Sequence, residues 1–322
     1  RADHLYVCVV RDVTGEVLGI APLMETHRPG VGPVKSRALQ FFGADRNLTE
    51  IRTVLCAPNR QREVFRALLD HVSQRKDDWI HWAAVPDSCM DDLHAAPGLL
   101  FDREIPDYIL PLPESWDAFQ KSLKRNVKES LRKCYNSLKR DNLSFEFEVI
   151  TEPREVRQAC GDLIRLHGLR ADQNAATKHA NVFATVASQK FLIDLTHRFA
   201  RQNILRVFAL RIGNERVAMR MGFQFDRSLY LYYSGYLPEF SKYSVMTTTV
   251  AESLKWAIAN GVTSVNLSTG TDVSKTRWGP EMHAYQAVVV RPPQLRARLA
   301  FQAFKYARLI GLHPRIRHLV RR

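Results

Sequence analysis

"LYLYYSGYLPEFSKYSVMTTTVAESLKWAIANG" (229–261) holds the pattern on which the fold turns. Its aromatic start predicts a strand, and "PEFSKYS" reads as a polar loop. Met246, Val250, Leu254, Ala257 and Ile258 then fall on one helical face, and Asn260-Gly261 closes the helix as a C-cap. A strand that hands its chain to a helix through such a loop often builds an anion site from backbone N–H groups. Those groups lack intrahelical partners, so the junction is a candidate anion site.

Working outward, "ILRVFALRI" (204–212) is a second strand and "GNE" (213–215) a turn. In "RVAMRMGFQF", Val217, Met219, Met221, Phe223 and Phe225 alternate with Arg216, Arg220 and Gln224, which predicts a half-buried strand. Arg220 sits on its polar face, where it is a candidate to hold a carboxylate or phosphate. Asp226-Arg227 turns the chain, and "TSVNLSTG" follows the helix as another strand, giving the order β-β-β-α-β.

The first half echoes this order. "LYVCVVRDVTGEVLGIAPLM" is strand, turn, strand; "RALQFFG" and "IRTVLC" are short strands. "REVFRALLDHVSQRK" is a helix with Val64, Leu68, Leu69 and Val72 on one face, followed by the strand "DWIHWAAVP". Two copies of one α/β unit, the first degenerate, account for 322 residues better than two unrelated domains do. The Pro cluster through Pro113 predicts the junction. The expected organisation is 1–113, truncated at its start, then 114–290, then a basic helical tail over 291–322. Ser115 is the expected N-cap of one long helix over 115–141, with Phe119, Leu123, Val127, Leu131 and Leu138 apolar. Lys121, Lys124, Arg125, Lys128, Arg132, Lys133, Lys139 and Arg140 occupy its other faces.

The formal net charge of +14 favours anionic partners such as phosphorylated ligands, nucleic acid or a membrane surface. No apolar run approaches the roughly 20 residues of a membrane helix. The five cysteines (Cys8, Cys56, Cys89, Cys134, Cys160) form no CxxC pair, which argues for a reducing compartment and against a metal cluster. The expected location is cytoplasmic or at the inner face of the membrane, with the basic tail as a contact for membrane or partner protein. Dinucleotide, P-loop, zincin and hydrolase-elbow motifs are absent.

"SWDAFQKSLKRNVKESLRKCYNSL", followed about sixty residues on by "LRVFALRIGNERVAMRMGFQFDRSLYLYYSGYLPEFSKYS…STGTDVSKTRWG", resembles the cellulose-biosynthesis acetyltransferase family of the CelD/BcsL type. That family belongs to the GNAT superfamily and is similar to Fem-type aminoacyl-tRNA-dependent transferases. The resemblance is strongest over 115–280 and looser over "RDVTGEVLGIAPLM" and "LQFFG".

It implies tandem GNAT-like α/β (α+β) domains, each a mixed, largely antiparallel sheet flanked by helices. It implies an acyltransferase that takes acetyl-CoA or another acyl-CoA as donor, with no metal. The donor's pyrophosphate would lie on Lys242, Tyr243, Ser244, Val245, Met246 and Thr247. Relatives carry Pro-Gly where Val245-Met246 stand here, and a β-branched Val beside a Met predicts a crowded turn. Amine or hydroxyl acylation also needs a proton acceptor and a group to protonate the departing thiolate. Tyr232, Tyr233, Tyr236 and Tyr243 are candidates for the second task; Glu239, His167 and Asp272 for the first. Lys275 survives from a Tyr-Lys pair of the relatives, and Arg220, Tyr236 and Asp272 are candidate substrate contacts. The expected acceptor is a small molecule or an envelope or exopolysaccharide precursor. Two further readings stand beside it: a Fem-type transferase using tRNA, and an inactive GNAT-like scaffold.

Overall fold

The computed structural model describes residues 3–26, 37–43, 49–75, 79–94, 98–173, 179–290, 295, 297–299, 301–303 and 306. In chain order the N-terminal elements are β1 (His4–Arg11), β2 (Val17–Thr26), β3 (Ala38–Phe41), β4 (Leu55–Cys56), α1 (Gln61–Ser73), β5 (Trp79–Pro86) and α2 (Met90–His94). Then come β6 (Leu99–Pro111), α3 (Trp116–Ser122), α4 (Arg125–Arg140), β7 (Phe145–Ile150), α5 (Pro153–Ala171) and α6 (Val186–Arg201). The chain finishes with β8 (Leu205–Ile212), β9 (Glu215–Phe225), β10 (Ser228–Tyr236), α7 (Val245–Ala259), β11 (Ser264–Thr269), α8 (Val273–Thr276) and β12 (Glu281–Val290).

The contacts form two units, one of residues 1–105 with 284–322 and one of 106–283. The divisions therefore fall inside β6 and β12 rather than at 113/114 and 290/291, because β12 is recruited by its hydrogen bonds to β5. Most of the tail 291–322 lies outside the described residues.

The first unit has the strand order β1-β2-β3-β5-β12. Val64, Phe65, Leu68, Leu69 and Val72 of α1 pack with Phe41, Ile80, Trp82 and Val288 in its core. The second unit has the order β6-β11-β10-β9-β8-β7. In each unit two antiparallel pairings are followed by a parallel one, β3 with β5 and β10 with β11, and α1 or α7 makes that crossover. The β-β-β-α-β order is thus present twice.

In the second unit Leu229 and Leu231 of β10 join Val250, Leu254 and Ala257 of α7 and Val127 and Leu131 of α4 in one core. The alternate residues face the other way: Tyr232 meets Phe223, which meets Phe199 of α6. Helices therefore cover both faces, and β9 is buried from Val217 to Gly222, Arg220 included, instead of half-buried.

The expected single helix over 115–141 is two. Ser115 caps α3 by accepting from Ala118 N, but Leu123 and Lys124 are extended (ψ 144° and 148°) and α4 starts afresh. Residues spaced by four drift about 40° per step around a helix. The break resets the phase so that Phe119, Leu123, Val127 and Leu131 all reach the core. The cations predicted on the outer faces are exposed, apart from half-buried Lys128.

Candidate functional site

Three local features of the second unit build a cavity. The first is the parting of two parallel strands. β10 pairs with β11 only from Ser228 to Tyr230, and beyond Tyr230 it keeps β9 as its described partner. A bulge accompanies the parting, since Leu231 faces Gly222 and Ser234 faces Arg220, so Tyr232 and Tyr233 share the place opposite Met221.

The second is the turn into α7. Ser244 is left-handed (φ 54°, ψ 41°) and serves as N-cap without using its side chain. Its carbonyl accepts from Thr247 N (2.8 Å) and Thr248 N (3.3 Å). The N–H groups of Val245 and Met246 make no described hydrogen bond and border the cavity. A left-handed residue followed by helical ones makes successive N–H groups converge, which is an anion-binding geometry. No acidic residue stands in the first turn of α7 to offset its positive end. The expected crowding does not arise: the Val245 side chain is fully buried in the core and Met246 packs against it, leaving the backbone face open.

The third is α5, which crosses β10 at Gly235. A Cβ there would lie 2.4 Å from His167 N, so only glycine permits the approach. His167 Nδ1 meets Ser234 O at 2.9 Å and Nε2 meets Ala180 O at 3.2 Å. One turn on, Arg170 donates to Ser234 Oγ (2.8 Å) and His179 Nε2 (3.0 Å), with its guanidinium 5.8 Å from the Tyr236 ring centroid.

The resulting cavity measures about 240 Å³. Arg170, Arg220, Ser234 and Tyr236 line one side; Ser241, Ser244 and the first turn of α7 line another, with Ser274 and Trp278 beyond. Among the described residues no Asp or Glu borders it. Arg220 is buried at 8% exposure and donates to Leu231 O at 3.3 Å.

The predicted residues divide accordingly. Arg220, Tyr236, Ser244, Val245, Met246 and Thr247 line the cavity. Tyr236 Oη donates to Gln173 Oε1 at 3.1 Å. Tyr232 and Tyr233 stack edge-on at 4.3 Å outside it, with Tyr233 also against Phe183. Tyr243 is buried with its hydroxyl donating to Asp141 at 2.8 Å, and Lys242 is exposed above the Tyr243 ring, which pushes the ammonium pKa up. Glu239 is exposed on the turn Pro238–Tyr243. Asp272 caps α8 through Ser274 N (3.0 Å), and Lys275 reaches back to Thr269 O and lies 3.6 Å from Asp272. His167, Asp272, Glu239 and Lys275 thus stand outside the lining.

Arg170 and His179 escaped the sequence reading. The available signal was Arg170 at three residues past His167, on the same face of a helix. Burial pulls the Arg170 pKa down; burial first and then the Arg170 charge pull the His179 imidazole below its ordinary value.

Residues 125–278 match the family profile of the Acetyltransferase (GNAT) domain. No curated protein matches the chain significantly in sequence. Among solved structures the chain is similar to FemX, at 12% identity and a TM-score of 0.62 over 92% of this chain and 90% of that one. It is similar to L-PGS from Bacillus licheniformis, at 13% identity and 0.56 over 95% and 89%. It is also similar to the C-terminal DUF2156 domain of a putative lysylphosphatidylglycerol synthetase from Agrobacterium fabrum, at 12% and 0.55 over 92% and 87%. At such identities the likeness concerns the fold. Residues 125–278 are thus similar to a GNAT acetyltransferase domain, and the fold is mixed α/β with a mostly antiparallel sheet flanked by helices. Among the described residues no helix is long and apolar enough to cross a membrane.

Proposed function

We propose that the second unit is an acyltransferase that takes its acyl group from an acyl-CoA and passes it to an amine or hydroxyl of a small molecule or an envelope or exopolysaccharide precursor. The observation that carries this reading is the strand edge of β10 left by β11 beside the free N–H groups of Val245 and Met246. An unpaired strand edge offers backbone groups to an extended, amide-bearing arm, and the helix start offers them to a diphosphate. The residues present therefore fit a CoA thioester. That thioester supplies an activated acyl carbon and a thiolate leaving group. Forming the new C–N or C–O bond releases a proton from the acceptor, and breaking the C–S bond requires one at sulfur. Tyr236, the one predicted phenol that lines the cavity, is our candidate donor of the second proton.

Thr247→Asp tests the donor site. It places a carboxylate in the first turn of α7, where a helix favours it, so the melting temperature should hold or rise. The same charge should weaken acetyl-CoA binding at least about tenfold in calorimetry, by like-charge repulsion at the phosphate position. Undiminished affinity would remove the diphosphate from this turn.

A second reading, a transferase that draws an aminoacyl group from tRNA, is supported by the exposed Lys121, Lys124, Arg125, Arg132, Lys133, Lys139 and Arg140 of α3 and α4. Binding of total tRNA that weakens steeply with salt, without acetyl-CoA binding, would favour it.

A further inference from the structure

Several arginines in the second unit are given carboxylates. Arg216 takes Glu148 at 2.8 Å and Asp162 at 2.9 Å, and Arg211 takes Glu148 at 2.7 Å. Arg170 is treated differently. Its described partners are a serine hydroxyl and an imidazole nitrogen, both neutral acceptors, and it forms no ion pair among the described residues. A guanidinium has five N–H donors and stays charged in a protein. Two of the five are committed, and the remainder border a cavity that also holds the buried Arg220 and no described carboxylate. A guanidinium drawn partly out of water without an ion-pair partner is unfavourable unless an anion completes it.

We propose that Arg170, backed by Arg220, binds a carboxylate or phosphate group of the acyl acceptor, so that the acceptor of this enzyme is an anion. The proposal rests on the acyltransferase reading for the word acceptor, but not for the anion site itself. The site is held in advance of binding. His167 on Ser234 O and the close approach at Gly235 fix α5 against β10, and the Ser234 hydroxyl and His179 fix the fork of Arg170. Such fixing lowers the ordering cost of binding. His179 Nε2 accepts from Arg170, which leaves Nδ1 as the protonated nitrogen of the neutral ring. The anion subsite is distinct in its chemistry from the start of α7, whose backbone N–H groups serve the donor.

The test uses inorganic phosphate and malonate as probes, titrated calorimetrically into the full chain with and without saturating CoA. Phosphate or malonate should bind while CoA is present. Arg170→Met should weaken that binding about tenfold to a hundredfold, the range for hydrogen bonds to a charged group, and leave CoA affinity unchanged. Arg170→Lys, which keeps the charge and loses the fork, should fall between. The relative affinity of the two probes separates a phosphate-bearing acceptor from a carboxylate-bearing one. Arg165→Met, on the exposed side of the same helix, is the control for helix stability. Absence of binding by either probe, binding that ignores Arg170, or strict competition with CoA would each overturn the proposal. Loss of CoA binding by the native chain, with Arg170-dependent phosphate binding intact, would instead overturn the donor reading and leave the anion site standing.

Discussion

Gly235→Ala puts one carbon where the structure has no space for it. Its Cβ would stand 2.4 Å from His167 N, 2.6 Å from Leu166 C and 2.8 Å from Leu166 Cβ. Two of these are backbone atoms, so no rotamer change relieves the overlap. Contacts below 3.0 Å essentially never occur, so α5 must retreat by at least about 0.6 Å. That retreat loosens Leu163 and Leu166, both fully buried, and a gap of roughly 0.5–1 Å forfeits a quarter to a half of each dispersion contact. Overpacking of this kind typically destabilises by about 1–3 kcal/mol. For a unit of this size that lowers the melting temperature by about 2–12 °C. Urea titration and calorimetry of native and variant chains measure it. Gly161→Ala is the internal control, because it lies on the same helix with nothing within 4 Å of its Cβ. That variant should gain about 0.5–1 kcal/mol by replacing a helical glycine. A Gly235→Ala protein as stable as the native one would refute the close crossing of α5 over β10, and with it the fixed position of Arg170.

Two further outcomes concern side chains around the same sheet. His179 has its folded pKa below the ordinary value of 6.5, so the fold binds fewer protons there than the unfolded chain. Its stabilising contribution is complete above about pH 6.5 and is lost as the pH falls through the folded value; His179→Asn should flatten the dependence of the urea midpoint between pH 8 and 5, and equal slopes would argue against the Arg170–His179 pairing. On the far side of the sheet Tyr135 Oη donates to Glu252 Oε1 at 2.5 Å, and Lys255 lies 2.8 Å from Glu252 and 3.2 Å from the Tyr135 hydroxyl. Glu252→Ala leaves both partners without their carboxylate and should lower stability by about 1–3 kcal/mol, whereas a neutral result in thermal unfolding would mean that α4 and α7 do not depend on this link.

Local pattern was enough to read the doubled β-β-β-α-β order, the Gly261 cap (φ 72°) and the turn into α7. What it could not supply is which faces become covered. The alternation in β9 is the signature of a strand with one wet face, yet α7 covers the second, and Arg220 stays there because the cavity reaches it. The bulge at Tyr232-Tyr233 escaped for a similar reason, since it is defined only by the partner strand. It set the two most conspicuous tyrosines against Phe223 and Phe183 and left Tyr236 on the cavity. The break at Leu123-Lys124 contains neither Gly nor Pro; it is imposed by the core that Phe119, Leu123 and Val127 must all reach. Arg170 looked like one more cation in a chain with 47 of them, and its place on the cavity, held by a hydroxyl and an imidazole, is set only by the tertiary fold.

The membership of β12 in the first unit has a consequence for synthesis. β5 receives its partner from residues 285–290, about 200 residues later in the chain, whereas β11 finds β6 already made. At about 5–20 residues per second on the ribosome, the edge of β5 waits roughly 10–40 s for its neighbour. The unit encoded second is therefore the first to be complete. A nascent chain halted between 111 and 284 leaves β5 paired with β3 on one side and open along Ile80–Pro86 on the other, the kind of edge that recruits other strands. Chaperone dependence and aggregation of this protein should accordingly be governed by the arrival of β12.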